Sequence, residues 1–292
     1  MEITVIYIAL VLIGLVFGSF AGATVWRLRA RQLVQDKAHG DDSEKAEYTR
    51  LQKLTTTPLA KDRSQCLHCS YKLRWYDMIP LISWISLRGK CRHCHHSIGI
   101  LEPIIELGVA LFFVLSYMFW PYPLADAIDI GRLIIWLLAG TGLSILFAYD
   151  AKWFLLPDKI SIAVIGLGLV SSMTAVIQSG DFVGSIASVA GAIIILSGIY
   201  FMLYVVSKGR WIGFGDIKLG LGLALLLADF RLAFIALFAA NLVGTLLVIP
   251  AMISGKLKRN SHVPFGPLLI IGTIIAQFFG LYLLDLYVVN LL

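Results

Sequence analysis

Seven long stretches of this chain carry no charged side chain: residues 3–26, 107–125, 133–149, 160–180, 182–207, 232–255 and 263–284. About 20 apolar residues in a helix cross the 30 Å hydrocarbon core of a bilayer. Within lipid every backbone polar group must be satisfied internally, so runs of this length predict spanning helices. An eighth run, Leu219 to Ala228, has ten residues, too few to span alone. It is expected to borrow Gly213-Phe214-Gly215 or to begin as a broken helix, surrounded by protein. The chain is 59% hydrophobic and 14% charged, where soluble domains are roughly half apolar and about a quarter charged. The fold class is an all-α polytopic membrane protein of about eight transmembrane helices.

Charge placement predicts orientation. The first run follows Glu2 and is followed by Arg27, Arg29 and Arg31. A signal peptide has the opposite order and a small-residue cleavage site, so a retained helix is expected. Of 24 basic residues, 14 lie between Arg27 and Arg92. Others sit at Lys152 and Lys159, Lys208 and Arg210, and Lys256, Lys258 and Arg259. The alternate loops, Trp120–Asp129, Gln178–Phe182 and Ala228–Arg231, hold only Arg231, with Arg132 just beyond the first. Eight spans with both termini outside put every basic loop in the cytoplasm. The net charge of +6 is then topology, with the lipid bilayer as partner and no nucleic acid. Residues 27–65 carry nine basic and six acidic residues and read as a solvated, partly helical linker.

All four cysteines fall in one loop, as Cys66-Leu67-His68-Cys69 and Cys91-Arg92-His93-Cys94. Tandem Cys-x-x-Cys knuckles are the usual frame of a four-thiolate zinc site, and a reducing cytoplasm disfavours disulfides. With four sulfurs and no open position, such a zinc is structural. Redox chemistry or unliganded thiols are the alternatives. His68, His93, His95 and His96 read as exposed loop histidines, or as substitute ligands.

Two carboxylates stand at helix ends on the cytoplasmic side. Asp150 closes the third run and Asp216 follows Gly213-Phe214-Gly215 just before the short one. Two carboxylates sharing a site hold one proton between them, which provides an acid and a base to activate water and protonate a leaving amine. Gly213 and Gly215 let backbone approach a substrate strand and adopt dihedrals closed to other residues. The bland reading is a pair of interfacial aspartates, solvated or paired with Lys152 and Lys218. Asp158, at the start of the fourth run, suits a helix N-terminus and a supporting role.

Taken in order, these segments resemble the type IV prepilin peptidases, GxGD membrane aspartyl proteases. The resemblance rests on Phe17-Gly18-Ser19-Phe20 with Trp26-Arg27-Leu28, and on Asp150 with Leu156-Pro157-Asp158 downstream. It continues through Gly213-Phe214-Gly215-Asp216-Ile217-Lys218-Leu219 and Pro264-Phe265-Gly266-Pro267. Between the knuckles, Trp75-Tyr76-Asp77, Ile79-Pro80-Leu81, Ser83-Trp84 and Leu87-Arg88-Gly89-Lys90 look like the bifunctional members. The resemblance implies catalytic Asp150 and Asp216, with Gly213, Gly215, Asp158 and Lys218 supporting. It implies prepilin or type II secretion pseudopilin precursors as substrates, cut after the Gly that ends a basic leader, at the inner-membrane surface of a bacterium. It also implies N-methylation of the new terminus from S-adenosylmethionine, associated with the loop. Met78 stands where the family commonly has Asn, and Leu101-Glu102-Pro103 where it has Arg-Tyr-Pro; Glu106 is retained. These departures bear on methyl transfer, and no Gly-rich nucleotide loop marks a cofactor site.

The resulting division is 1–26 for the first helix, 27–102 for a zinc-binding cytoplasmic loop, and 103–292 for the peptidase. A peptidase without methylation is one alternative. An ion-coupled transporter using the two aspartates is another, although the paired halves of many transporters are not evident. A zinc-stabilised membrane scaffold is the third.

Overall fold

The structure, a computed structural model, describes residues 2–40, 44–55, 64–255 and 262–291. Lys61, Arg63, Lys256, Lys258 and Arg259, which count toward the expected topology, lie outside them. The chain forms two compact units, one up to Val114 and one from Leu115.

The first unit holds α1 (Glu2–Ala38), α2 (Lys45–Leu51), α3 (Ile82–Ser86) and the start of α4 (Leu101–Met118). α1 and α4 run antiparallel in a register set by small residues. A Cβ added at Gly14 would meet Ala110 Cα at 2.6 Å, one at Gly18 would meet Glu106 Cα at 2.5 Å, and Gly22 faces Glu102. Glycines four apart lie on one helix face, and their missing side chains let two backbones close up where lipid gives no hydrophobic drive to associate. α1 does not stop with its apolar run at Trp26 but continues to Ala38. The 27–65 stretch is therefore partly helical, as expected, and less solvated than expected. Arg29, 3% exposed, is held by Glu44 and by Glu47, whose Oε2 accepts from Nε at 2.9 Å and Nη2 at 2.8 Å. Buried Leu33, Leu51 and Leu54 close a small core with α1. A buried guanidinium requires such paired carboxylates, since an uncompensated buried charge costs several kcal/mol.

The second unit is a helix bundle. It contains α5 (Ala127–Trp153), α6 (Asp158–Gln178), α7 (Phe182–Ile193), α8 (Ile199–Ser207), α9 (Phe214–Leu227), α10 (Phe230–Ile253) and α11 (Phe265–Leu291). A π-turn over Ile194–Gly198 joins α7 to α8 as one run. Among the described residues, seven helical runs across the chain are long and apolar enough to cross a membrane. The eighth, α9, is 14 residues, about 21 Å at 1.5 Å per residue. It takes in Phe214 and Gly215, as expected, and is continuous, not broken. Leu219, Leu223 and Ala224 are wholly buried and α9 packs on α6, α7, α11 and the π-turn. Protein surrounds this short element, so its length need not match the bilayer.

Close packing around α9 is again set by glycine. A Cβ at Gly168 of α6 would meet Gly222 O at 2.9 Å, and Gly220 sits against the Leu196 carbonyl of the π-turn. Ser197, buried in that turn, donates to Ile217 O at 3.0 Å. At the far end of α5 and α6, Gln178 donates to Asp129 Oδ1 at 3.1 Å, and Arg132 stacks on Tyr122 with 4.4 Å to the ring centroid.

Candidate active site and metal centre

Asp150 occupies the last turn of α5 and is 6% exposed. Its Oδ2 accepts the Gly266 N–H at 3.0 Å. Gly266 is the second residue of α11, so this donor is one of the first-turn N–H groups with no partner inside its own helix. Asp216 lies in the first turn of α9, half-buried, with Oδ2 accepting the Gly213 N–H at 3.2 Å. Asp150 and the helix that carries Asp216 are brought together at Gly266. A Cβ on Gly266 would meet Asp150 Oδ2 at 2.7 Å and Leu219 Cδ2 of α9 at 3.4 Å. Three helix ends, of α5, α9 and α11, thus meet at one point.

The other expected residues surround this pair in distinct ways. Gly213 has φ −78° and ψ 152°, backbone that any residue adopts, and Gly215 is not among the positive-φ glycines. The expectation of special dihedrals is therefore corrected, and close approach is what remains. A Cβ on Gly215 would come within 3.0 Å of Leu156 Cβ, in the segment that leads from α5 into α6. Lys218 Nζ pairs with Asp158 Oδ1 at 2.7 Å, which ties the starts of α6 and α9 together. Lys152 lies over the Trp153 ring, 4.6 Å from its centroid. The lysines of the bland reading have these contacts, while each candidate aspartate accepts a backbone N–H.

Two residues at the site carry no functional signal of their own in the sequence. Gly266 stands out there only as part of a motif, because a backbone donor leaves no side-chain signal. Tyr200 follows the π-turn, is 4% exposed, and its Oη has no hydrogen-bond partner among the described residues. Its ring packs on Phe265, centroids 5.2 Å apart, next to Gly266.

In the first unit the four cysteine Sγ atoms all lie within 4.8 Å of one another, and Cys66 and Cys94 are 3.9 Å apart. Tetrahedral ligands at a Zn–S distance of about 2.3 Å would be separated by about 3.8 Å, so the cluster fits a metal such as zinc. The two knuckles repeat one another. Each first cysteine sulfur accepts an N–H two residues on, from His68 at 3.5 Å and His93 at 3.4 Å. Each turn is closed by a non-glycine at positive φ, Ser70 at 59° and His95 at 56°. Antiparallel bridges follow at Gln65–Lys72 and Lys90–Ser97. The loop histidines do not join the cluster. His68 stacks on His96 at 4.0 Å and His93 on Tyr71 at 5.0 Å. Between the knuckles, buried Asp77 accepts Arg92 Nε at 2.8 Å and the Arg74 N–H at 3.2 Å. At the departures from the family pattern, Glu102 Oε1 accepts Trp26 Nε1 at 2.7 Å and Met78 is exposed.

Comparison with known proteins matches this architecture in two parts. The Bacterial Peptidase A24 N-terminal domain covers residues 12–120, and the Type IV leader peptidase family covers residues 133–249. The Prepilin leader peptidase/N-methyltransferase of Burkholderia pseudomallei is 32% identical over 92% of this chain and 84% of its own length. The protein of the same name from Pseudomonas aeruginosa is 28% identical over 92% of this chain and 89% of that protein. The Type 4 prepilin-like proteins leader peptide-processing enzyme of Escherichia coli is 30% identical over 89% of each. No solved structure matches the chain. With both parts matched in order and relatives aligned over most of their length, the chain belongs to the type IV leader peptidase family.

Proposed function

We propose that this enzyme removes the basic leader from prepilins or type II secretion pseudopilins, using Asp150 and Asp216 to activate water. The observation that carries the reading is the meeting of α5, α9 and α11 at Gly266, whose N–H fixes Asp150 and whose added Cβ would touch Leu219 of α9, the helix with Asp216 in its first turn. One carboxylate takes a proton from water as its oxygen attacks the peptide carbonyl. The other gives its proton to the departing amine as the carbon–nitrogen bond breaks, and the pair again holds one proton. Such a pair needs no metal or covalent intermediate. Asp158 and Lys218 support the site by joining α6 to α9, and Gly213 and Gly215 leave room for the incoming strand.

The basic loops favour a cytoplasmic site and both termini outside, in the inner membrane of a bacterium. There a basic leader stays in water while the substrate's apolar helix stays in lipid. The cysteine cluster holds a structural zinc through Cys66, Cys69, Cys91 and Cys94. Methylation of the new terminus from S-adenosylmethionine is the second activity, supported by the names of the relatives and served by the unit that carries the zinc. For the domains we propose the division into first helix, zinc loop and peptidase, with the loop's helical portion beginning inside α1.

The test is cleavage of a pilin-like precursor by full-length enzyme in vesicles. Wild type yields the shortened product, and Asp150→Asn and Asp216→Asn yield none while remaining folded. Normal cleavage by either variant overturns the dyad.

A further inference from the structure

A part of the zinc-bearing loop is more apolar on its surface than a water-facing loop should be. Trp75 is 75% exposed, Ile82 65% and Ile85 66%, with Met78 also exposed. These four residues belong to two short turns, Trp75–Met78 and α3, that pack on one another. Such a cluster on a soluble surface would mark an interaction site.

The depth of this segment identifies what covers it. Leu81, the residue that caps α3, gives its N–H to Glu106 Oε2 of α4 at 2.8 Å. Glu106 lies level with Gly18, whose added Cβ would touch its Cα. Gly18 stands eight residues inside the uncharged run that ends at Trp26, about 12 Å along the helix. At this level the neighbouring α1 and α4 side chains, Val16, Phe20, Ile104 and Leu107, are exposed and apolar. α3 is therefore hung from the first unit where the helices beside it face lipid. Leu81 adopts φ 56° and ψ −46°, a strained geometry for a residue with a branched side chain, of the kind held in place only by its surroundings. The buried Glu106 carboxylate is the surrounding group that holds it.

We propose that the Trp75–Ser86 segment lies in the interfacial layer of the bilayer, at the Arg27 end of α1, with Ile82 and Ile85 against acyl chains. Trp75 sits at the headgroup level, the usual place for an amphipathic ring. Lys72, Arg74, Arg88 and Lys90, all exposed, flank the segment and meet anionic headgroups, which attract basic side chains held close to the surface. The zinc module is then a membrane-seated element, anchored by α1, α4 and its own apolar turn. This inference does not depend on the peptidase mechanism.

The experiment uses full-length, zinc-loaded enzyme in phosphatidylethanolamine–phosphatidylglycerol vesicles containing a lipid with a diazirine in its acyl chain. After irradiation, mass spectrometry maps the adducts. Adducts are expected on the Trp75–Leu87 stretch as well as on α1 and α4. The Ile82→Asp/Ile85→Asp variant should lose those in the stretch and keep those in α1, with its zinc content unchanged; if that variant loses its zinc, the wild-type map alone decides. Labelling of α1 and α4 without the stretch overturns the proposal. So does displacement of its adducts by saturating precursor, which would assign the face to the substrate's apolar helix.

Discussion

The Gly266 N–H donates to Asp150 Oδ2 at 3.0 Å, joining residues 116 positions apart in sequence. This bond places the end of α5 against the start of α11. It also explains the glycine, because an added Cβ would stand 2.7 Å from the carboxylate oxygen it serves. In Gly266→Ala the carboxylate or the helix start must move. A misplacement of about 1 Å at a reacting group costs on the order of 10²-fold in rate. Precursor cleavage should fall by about that factor in kcat with KM little changed. Wild-type turnover by Gly266→Ala would remove the bond from the mechanism.

Tyr200 presents a buried hydroxyl that has no hydrogen-bond partner among the described residues. Phe at this position keeps the ring contact with Phe265 and removes the donor. If the hydroxyl meets the oxygen that gains charge during attack, Tyr200→Phe loses roughly 10²-fold in kcat, as for loss of one preorganised donor. KM and thermal stability stay near wild type. A purely packing role predicts no change in kcat, so steady-state kinetics on the two proteins separates the possibilities.

Much of this arrangement is legible in the amino-acid sequence alone. The uncharged runs give the long helices because burial in lipid demands about 20 apolar residues, and the cysteine spacing gives the cluster because each knuckle is a local turn. Asp150 and Asp216 stand out through the motifs around them, since Asp126, Asp129, Asp158, Asp181 and Asp229 also stand at helix ends. Their meeting point is a different matter. It depends on Gly266 and Tyr200, and neither a backbone donor nor an unpaired hydroxyl leaves a pattern in the sequence. The dihedral role expected of Gly213 and Gly215 is also not what the fold uses, since periodicity does not reveal that Leu156 packs on Gly215. The burial of Arg29 is hidden for the same reason, as Glu44 and Glu47 reach it only through the fold of α2 back onto α1.

Asp158 and Lys218 should behave as structural, not chemical, partners. Their pair is partly exposed, Asp158 more so than Lys218, and exposed pairs contribute about 0–1 kcal/mol. Asp158→Asn and Lys218→Met are each expected to shift the melting temperature by only a few degrees, on the order of 1 kcal/mol or less. Both should retain cleavage within about tenfold, since about 1.4 kcal/mol is the whole of a tenfold change. Loss of cleavage in Asp158→Asn equal to that in Asp150→Asn would move Asp158 into the reacting group.

The cysteine cluster should bind zinc with release of protons and lose it as pH falls. Burial pushes the metal-free Cys66 thiol up to about 12, and Cys94 is also raised. Burial acts in the same direction on Cys91, but N–H groups of Cys94 and His93 and the neighbouring thiols outweigh it and bring that thiol down to about 7. Zinc takes only thiolates. At neutral pH the metal must therefore displace the proton of Cys66, while Cys91 gives up its proton more readily. Acid favours the protonated thiols, so affinity falls on going from about pH 8 to about pH 6 and does not rise. Titration of zinc into metal-stripped full-length enzyme in two buffers of different ionisation enthalpy should report more than one proton released per metal at about pH 7. Cys66→Ser/Cys69→Ser should bind no zinc and should expose residues 64–97 to proteolysis, because without the metal the two knuckles keep only the His68–His96 and Tyr71–His93 stacks between them. Zinc uptake without proton release, or zinc retained by the variant, would show that the four thiols do not form the site, and an intact loop in a metal-free variant would show that the metal is not structural.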